Sequence, residues 1–442
     1  MKSKPLLSIA VPAYNRPKEL LHALDFFIRQ ISGKYENDVE IVISDDCSPS
    51  DALSEVRAVA ESYPFVTFRR YPTNIGLERN LIECAKHCQG EYLWIFGDDD
   101  YLEYEGALDD IIRLLRPGSF DFIVLNRTRR SFDLSETMSS NWMNLDDDQD
   151  YKFDGLRDFC LIHGLISVIG FISVNIFRRA PFQKVDAEKY FGTMYPQLGA
   201  MLEAFHSSRV LLVGKPTICH RTQSRDEKRK ALGDKRTESE FMADEQIRNA
   251  KYFGLPFLSM LDELLRQDCF SPEDLLEIPE NTVINGLLID FLLGNMSLVN
   301  ELDVDVGKDD VRLAERFFRS LPLDAFRDKR VGKIFADMRR RTSSALYLSP
   351  ESHITFSVIT PSFNQANFLP ASLDSVHMQS LKPLEHLVFD PGSTDGSLEI
   401  ARQYPDITLI EEPDEGQSDA LNKGFELARG DIIAWLNSDD MY

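Results

Sequence analysis

The sequence predicts an α/β fold with a mostly parallel sheet, because segments typical of strands and helices alternate from residue 6 onward. A second observation is a repeat. An apolar strand ending in proline, an aromatic residue and asparagine occurs at residues 8–15 and again at 357–364. Each copy is followed, at similar distances, by two acidic segments that also end apolar strands. The 442 residues are therefore expected to hold one α/β module twice.

The elements of the first copy follow in order along the chain. The strands should be joined by right-handed helical crossovers. The expected strands lie at 6–11, 39–44, 66–71 and 91–96, and the expected helices at about 17–30, 50–61 and 77–88.

In the second half of this copy, apolar runs predict further strands at 120–126, 170–178 and 210–213. The acid-rich stretch 131–154 is expected to form a mobile loop over the site. The uncharged run 159–177 is long enough to span a membrane. Its glycines and β-branched residues favour a loop followed by a buried strand, and a membrane span stays as the alternative.

Helical periodicity dominates after the basic run 220–230, with helices expected at 257–266, 283–300 and 311–318. We therefore expect three parts: a module at 1–228, a helical connecting domain at 229–348, and a second copy at 349–442. The second copy stops just after its last acidic segment. We expect it to be the N-terminal half of a module, marginally stable and catalytically silent.

Composition narrows the function. The formal charge of −23 disfavours nucleic acid as a partner, because a phosphate backbone would be repelled. Six cysteines without a CxxC pair suit a reducing compartment. The N-terminus shows no export signal, so we expect a cytoplasmic protein, at most peripherally associated with the inner face of a membrane.

The repeated segments all end strands, and ligands of open α/β sheets bind beyond those ends. Tyr14 could pack on a nucleotide ring, and Asp45 could accept the N–H of a uracil-like base. The adjacent carboxylates at 98–100 repel one another unless a cation intervenes, which indicates Mg²⁺ or Mn²⁺ bridging to a diphosphate. A solvated strand end is the alternative, and the recurrence of the acid pair at 439–440 disfavours it.

These motifs resemble those of the family 2 inverting glycosyltransferases, which have the GT-A nucleotide-sugar-binding fold. The resemblance rests on VPAYN, SDDCS, Asn74-Ile75-Gly76 and WIFGDDD in the first copy, and on ITPSFNQ, FDPGSTDGS, GQSDALNKG and WLNSDD in the second. It implies two GT-A modules, the second truncated, joined by the helical domain. Tandem modules of this kind resemble enzymes of bacterial surface-polysaccharide assembly.

The resemblance also implies the partners and the site. The donor would be a nucleotide sugar, with UDP favoured, and the acceptor a saccharide or a lipid-linked saccharide. The substrate-binding residues would be Pro12, Tyr14, Asn15, Asp45, Asp46, Asn74, Arg79, Asp98, Pro361, Phe363, Asp390 and Asp419. The metal ligands would be Asp98, Asp99, Asp100, Asp439 and Asp440.

The catalytic base is the main departure from the family pattern. The family supplies a Glu-Asp pair ahead of a strand like 210–213, and residues 195–197 of this chain carry no carboxylate there. The nearest acids are Asp186, Glu188 and Glu203, each a displaced base or a solvated charge. Smaller departures are Cys47, Pro391 and Asn437.

Basic groups for the leaving diphosphate could come from Arg79, His220 and Arg221, or these could form ordinary salt bridges. The sequence thus predicts a metal-dependent, inverting glycosyltransferase. Two alternatives remain: a degenerate nucleotide-sugar-binding or scaffold module, and a nucleotidyltransferase. The second lacks the glycine-rich basic loop expected after the first strand.

Overall fold

The computed structural model describes residues 4–49, 52–222, 246–248, 250–280, 286–301, 308–322, 355–379 and 381–442. Two compact units contain Met1–Val304 and Asp305–Tyr442, and each is described by itself. The division falls inside the predicted connecting region. The predicted domain boundaries at 228 and 348 lie outside the described residues and stay predictions.

The first unit is built on a sheet whose first four strands are parallel, as predicted. Strand β1 lies between β2 and β4, and β2 also pairs with β3, so the order is β3-β2-β1-β4. All seven residues of β1 are buried, and six of them are apolar; the exception is Ser8. The strands are β1 (Leu7–Ala13), β2 (Val39–Asp45), β3 (Val66–Arg70) and β4 (Tyr92–Ile95), and the connecting helices are α1 (Pro17–Ile31), α2 (Ser54–Glu61) and α3 (Leu77–His87).

Beyond β4 the sheet becomes mixed. The further elements are β5 (Tyr101–Leu102), α4 (Ala107–Leu115), β6 (Phe122–Ser131), β7 (Thr137–Ser139), β8 (Asp150–Phe153), α5 (Leu156–His163), β9 (Asn175–Arg178), α6 (Arg179–Phe182), α7 (Pro196–Phe205) and β10 (Val210–Thr222). Strand β9 runs antiparallel between β4 and β6, and β10 runs parallel to β6. The strand predicted at 170–178 begins instead with a 3₁₀ turn, Ile172–Val174.

The prediction of a mobile loop at 131–154 is wrong. Strand β7 pairs with β6, and β8 pairs antiparallel with β10 from Asp150 to Phe153. Backbone pairing of this kind holds both ends of the stretch against the sheet. Its many acidic residues remain on the solvent side, which is why composition alone indicated a loop.

The uncharged run 159–177 is divided among α5, the 3₁₀ turn and β9. This agrees with a loop followed by a buried strand. Among the described residues, no helix has both the length and the apolar character that a membrane span requires.

A helical segment packs on the first copy within the same unit. Its helices are Leu255–Arg266, Pro272–Glu277 and Leu288–Glu301, and Ser271 and Asp274 form a capping box at the second. The Arg157 guanidinium donates two hydrogen bonds to the Asp274 carboxylate, at 2.8 and 2.7 Å. The buried Glu280 carboxylate accepts the backbone N–H groups of residues 165–167, at 3.3, 2.8 and 2.8 Å. The helix predicted at 283–300 begins at Leu288, after a short antiparallel pair that includes Glu280.

The second unit repeats the first four strands of the sheet. Strands Phe356–Pro361, Glu385–Phe389, Thr408–Ile410 and Ile432–Trp435 are all parallel and have the same order as β1, β2, β3 and β4. The helices of this unit are Lys308–Ser320, Leu369–His377, Ser397–Ala401 and Gln417–Leu427. Ile432 and Trp435 are exposed at its edge strand, whereas their counterparts in β4 are buried beside β9.

Candidate active site

The turn after the first strand has the same form in both copies. Asn15 and Asn364 adopt left-handed φ angles of 53° and 54°. Their backbone N–H groups donate to Ser48 Oγ at 2.9 Å and to Ser393 Oγ at 2.7 Å. The preceding rings, Tyr14 and Phe363, are 49% and 58% exposed. Each copy thus holds an aromatic ring at the carboxyl edge of the sheet, available to pack on a planar ligand.

Asp45 is buried at the end of β2. Its Oδ1 accepts hydrogen bonds from Ser48 N and Oγ, at 3.0 and 2.5 Å, and its Oδ2 accepts one from Arg70 at 2.8 Å. The counterpart Asp390 is bonded to Gly392 N at 3.0 Å and to Ser393 N and Oγ at 2.7 Å. Both carboxylates are held in one orientation by their own turn. Among the described residues, an arginine contacts only the first of the two, and the sequence analysis did not identify it.

Asp46 and Asn74 fix the turn that leads into α3. Asp46 accepts the N–H groups of Ile75 and Gly76, at 2.6 and 3.0 Å. Asn74 donates to the Asp46 carbonyl at 3.2 Å and accepts the Gly76 N–H at 3.0 Å. Gly76 has a φ of 86°, which a residue with a side chain rarely adopts. Both predicted substrate-binding residues therefore already position the start of α3.

The acidic motif of the first copy follows β4. Asp98 accepts the Tyr14 N–H at 3.4 Å and an Arg16 N–H at 3.1 Å, and Arg16 also contacts Asp99. Burial raises the pKa of Asp98 to about 7, and Arg16 opposes that rise. The motif thus touches the turn after β1, so two of the predicted segments meet.

Asp100 points into the protein. Its Oδ2 accepts a hydrogen bond from Ser173 Oγ at 2.6 Å, and the same hydroxyl accepts the Gly97 N–H at 2.9 Å. Its Oδ1 is buried and has no hydrogen-bond partner among the described residues. Burial raises the pKa of the Asp100 carboxyl well above its usual range. Ser173 is a positioning residue that sequence reasoning missed.

The acidic residues of the first copy meet part of the ligand requirement of a divalent cation. Within the described ranges, no three His, Cys, Asp or Glu side chains converge on one point, so the predicted three-aspartate cage is not preassembled. Mg²⁺ commonly binds one or two carboxylates and completes its shell with water and substrate phosphates. The carboxylate oxygens at 98–100, with one buried oxygen lacking a partner, fit such an incomplete site.

The second copy gathers its motifs around a cavity of about 670 Å³. Residues from all three repeated segments line it, namely Pro361, Ser362, Phe363, Gln365, Pro391, Asn437, Ser438 and Asp439. Asp419, one of the predicted residues, instead accepts the Glu415 N–H at 3.1 Å and pairs with Lys423 at 2.8 Å.

Arg79 lines a second pocket, of about 370 Å³, in the first unit. Its guanidinium lies 3.6 Å from Glu188 and 5.3 Å from the centroid of the Phe191 ring. Phe191 and Met194 line the same pocket. Of the three candidate bases, Glu188 is therefore in contact with a predicted substrate-binding residue.

The other two candidate bases have local partners. Asp186 accepts the Glu188 N–H at 3.2 Å and caps a 3₁₀ turn. Glu203 accepts the Tyr190 hydroxyl at 2.7 Å and pairs with Lys189 at 2.7 Å. Residues 195–197, where the family pattern expects the base, begin helix α7. There Gln197 is buried, and its Oε1 has no partner in the described structure.

His220 and Arg221 lie at the end of β10, and residues 223–230 of the basic run lie outside the described residues. Burial and the nearby Arg127 and Arg129 lower the pKa of His220 to about 3. These surroundings favour the neutral imidazole, and a role of His220 at the diphosphate stays a prediction. Arg221 lies over the Tyr101 ring, 5.3 Å from its centroid.

The sequence model of the family "Glycosyl transferase family 2" matches residues 8–182 and 357–442, which together make up more than half of the chain. The chain belongs to this family. The predicted family and GT-A class of fold are thereby confirmed, and both copies of the repeat fall within the match.

Two curated relatives show the extent of the similarity. The abequosyltransferase RfbV of Salmonella typhimurium is 28% identical over 225 residues, covering 48% of this chain and 66% of that protein. A PGL/p-HBAD biosynthesis glycosyltransferase of Mycobacterium bovis is 38% identical over 90 residues, covering 19% of this chain and 35% of that protein. The matches thus span just under two thirds of one relative and about one third of the other.

Among solved structures, Staphylococcus aureus TarS 1–349 in complex with UDP-GlcNAc is 15% identical. The alignment covers 77% of this chain and 93% of that chain, with a TM-score of 0.49.

Proposed function

We propose that this chain is a glycosyltransferase that moves a sugar from a nucleoside diphosphate sugar to a hydroxyl group, with inversion at the sugar carbon. The acceptor is a saccharide or a lipid-linked saccharide, as in polysaccharide or O-antigen synthesis. One observation carries the proposal. In both copies, an exposed aromatic ring, a buried aspartate and an acid pair follow neighbouring parallel strands, at the edge where such folds bind ligands.

The donor's parts match these groups in chemistry. A uracil ring can pack on Tyr14 and donate its N–H to Asp45, whose carboxylate Arg70 holds in place. A divalent cation held by the acid pair would offset the charge of the diphosphate.

We propose Glu188 as the base that accepts the proton of the acceptor hydroxyl. Its carboxylate is about half exposed and contacts Arg79, which lines the 370 Å³ pocket. Glu188→Gln should reduce kcat far more than donor affinity, and an unchanged kcat would eliminate this residue.

A second candidate function is a nucleotide-sugar-binding or scaffold module. The observation that favours it is the buried Gln197 at the place where the family pattern expects a carboxylate. Such a module would bind donor without turning it over.

The deciding experiment is a panel of UDP-, GDP- and dTDP-sugars with Mn²⁺, followed by release of free nucleotide and by binding calorimetry. Turnover that disappears in Asp99→Asn/Asp100→Asn and persists in the exposed-loop control Asp147→Asn/Asp148→Asn supports the transferase. Tight binding without turnover in the presence of saccharide acceptors favours the scaffold. Formation of a nucleotide sugar from a sugar phosphate and a nucleoside triphosphate would instead show a nucleotidyltransferase.

A further inference from the structure

The two copies differ in charge at one matched pair of positions. The strand registers, which place Ala10 opposite Ile95 and Ile359 opposite Trp435, align the acidic motifs residue by residue. Asp99 and Asp100 correspond to Asp439 and Asp440. The remaining acid of the first copy, Asp98, corresponds to Ser438.

The turn after the first strand differs at the position that faces this extra acid. Arg16 of the first copy corresponds to Gln365 of the second, directly after the left-handed asparagine that both copies share. The first motif therefore has three carboxylates and one guanidinium, and the second has two carboxylates and no guanidinium. The net formal charge is the same, although it is distributed differently.

Arg16 does more than neutralise the extra acid. Its Nη1 lies 3.1 Å from Asp98 Oδ1 and also contacts Asp99 Oδ2, an oxygen of the acid that both copies share. The Asp98 and Asp99 side chains are 12% and 26% exposed and that of Arg16 is 48% exposed, so solvent screens this bridge in part. Within the described residues, no ion pair involves Asp439 or Asp440.

We infer that Arg16 is an intramolecular competitor of the divalent cation in the first copy. Two positive groups on one carboxylate oxygen of Asp99 repel each other and share its charge, so Arg16 weakens metal binding there. Among the described residues of the second copy, no guanidinium contacts the corresponding Asp439. This inference rests on the proposed cation-dependent donor site.

The test measures Mn²⁺ binding directly, by electron paramagnetic resonance of free Mn²⁺, on the full chain without nucleotide. An Asp439→Asn/Asp440→Asn background leaves the first copy as the reporter. Arg16→Gln, which introduces the residue of the second copy, should tighten Mn²⁺ binding by roughly threefold to tenfold, the range expected when a partly screened ion pair no longer competes. Lys18→Gln removes the same charge two residues away on an exposed side chain and should leave the affinity unchanged.

A second measurement separates this role from a purely structural one. Without metal, Arg16→Gln should lower the melting temperature of the first unit, because the bridge is lost. With saturating Mn²⁺, the variant should show the larger metal-induced rise. The reciprocal change, Gln365→Arg in an Asp99→Asn/Asp100→Asn background, should weaken Mn²⁺ binding by the second copy.

The outcomes are distinct. Measurable Mn²⁺ binding with equal or weaker affinity in Arg16→Gln overturns the role of Arg16 and leaves the metal site standing. If Lys18→Gln tightens Mn²⁺ binding to the same extent, the gain comes from a long-range change in charge. That result would also overturn the role of Arg16. Absence of Mn²⁺ binding in every variant, including the unmodified chain, overturns the cation site itself and this inference with it.

Discussion

Replacing Asp45 by asparagine is the most direct test of how the first copy recognises a nucleobase. The change keeps the volume and keeps Oδ1 as an acceptor for Ser48, but it replaces Oδ2, the oxygen that accepts from Arg70 at 2.8 Å. A hydrogen bond to a charged acceptor contributes about 1.5 to 3 kcal/mol, so uridine nucleotide affinity should fall by roughly 10- to 150-fold. Calorimetric titration with UDP and Mn²⁺, in an Asp390→Asn background that silences the second copy, measures this loss.

The same substitution also breaks a buried ion pair, so a control must separate folding from recognition. Arg70→Gln breaks that pair from the other side and leaves the Asp45 carboxylate in place. Both variants should lose stability, but only Asp45→Asn should lose most of the UDP affinity. Equal losses of affinity in the two folded variants would refute the assignment, because Asp45 would then act only by holding its turn.

Three further predictions concern the metal, pH and packing. In the first unit, Asp99→Asn/Asp100→Asn should abolish the added stability from Mn²⁺ with UDP, which is about 2.7 kcal/mol at a hundred times the dissociation constant; an unchanged thermal shift would contradict the cation site. In the second unit, burial lowers the pKa of His386 to about 4, so the unfolded chain takes up a proton between pH 6.5 and 4 that the folded chain does not. Lowering the pH from 7 to 5 should therefore cost about 2 kcal/mol of unfolding free energy. Denaturant titrations of His386→Gln should show a flatter pH dependence, and an equally steep one would contradict this origin. Glu280→Ala should destabilise the first unit by about 3 to 5 kcal/mol, because three buried amides lose their acceptor, whereas the exposed Glu277→Ala should change little.

The first four strands and the motifs at their ends could be predicted because their signals are local. Strand β1 is apolar at every position except Ser8, and proline, an aromatic residue and asparagine mark where it ends. The repeat strengthened each assignment, since the same landmarks recur in the same order. The parallel order of both sheets follows from this alternation of strands and helices.

The second half of the first copy could not be predicted as well, because its strands pair with distant partners. Strand β9 enters the sheet antiparallel between β4 and β6, and β8 pairs with β10 across a helix-containing stretch of chain. Neither pairing leaves a periodic pattern in the sequence. Acidic composition indicated a loop where the backbone in fact extends the sheet.

The missed site residues have the same explanation. Ser173 reaches Asp100 across 73 positions of the chain, and Arg70 reaches Asp45 across 25. Arg16 had a readable signal, since it stands beside the asparagine turn in one copy and is replaced by Gln365 in the other. Comparing the two copies position by position would have identified it before the structure.

The contacts of Asp274 and Glu280 determine how the first unit unfolds. Because Asp274 holds Arg157 and Glu280 supplies the only acceptor described for three buried amides, the helices at 255–301 and the adjacent sheet stabilise each other. Heat or denaturant should melt them together in a single cooperative transition. Physically, these helices unfold as part of the first unit, together with its sheet.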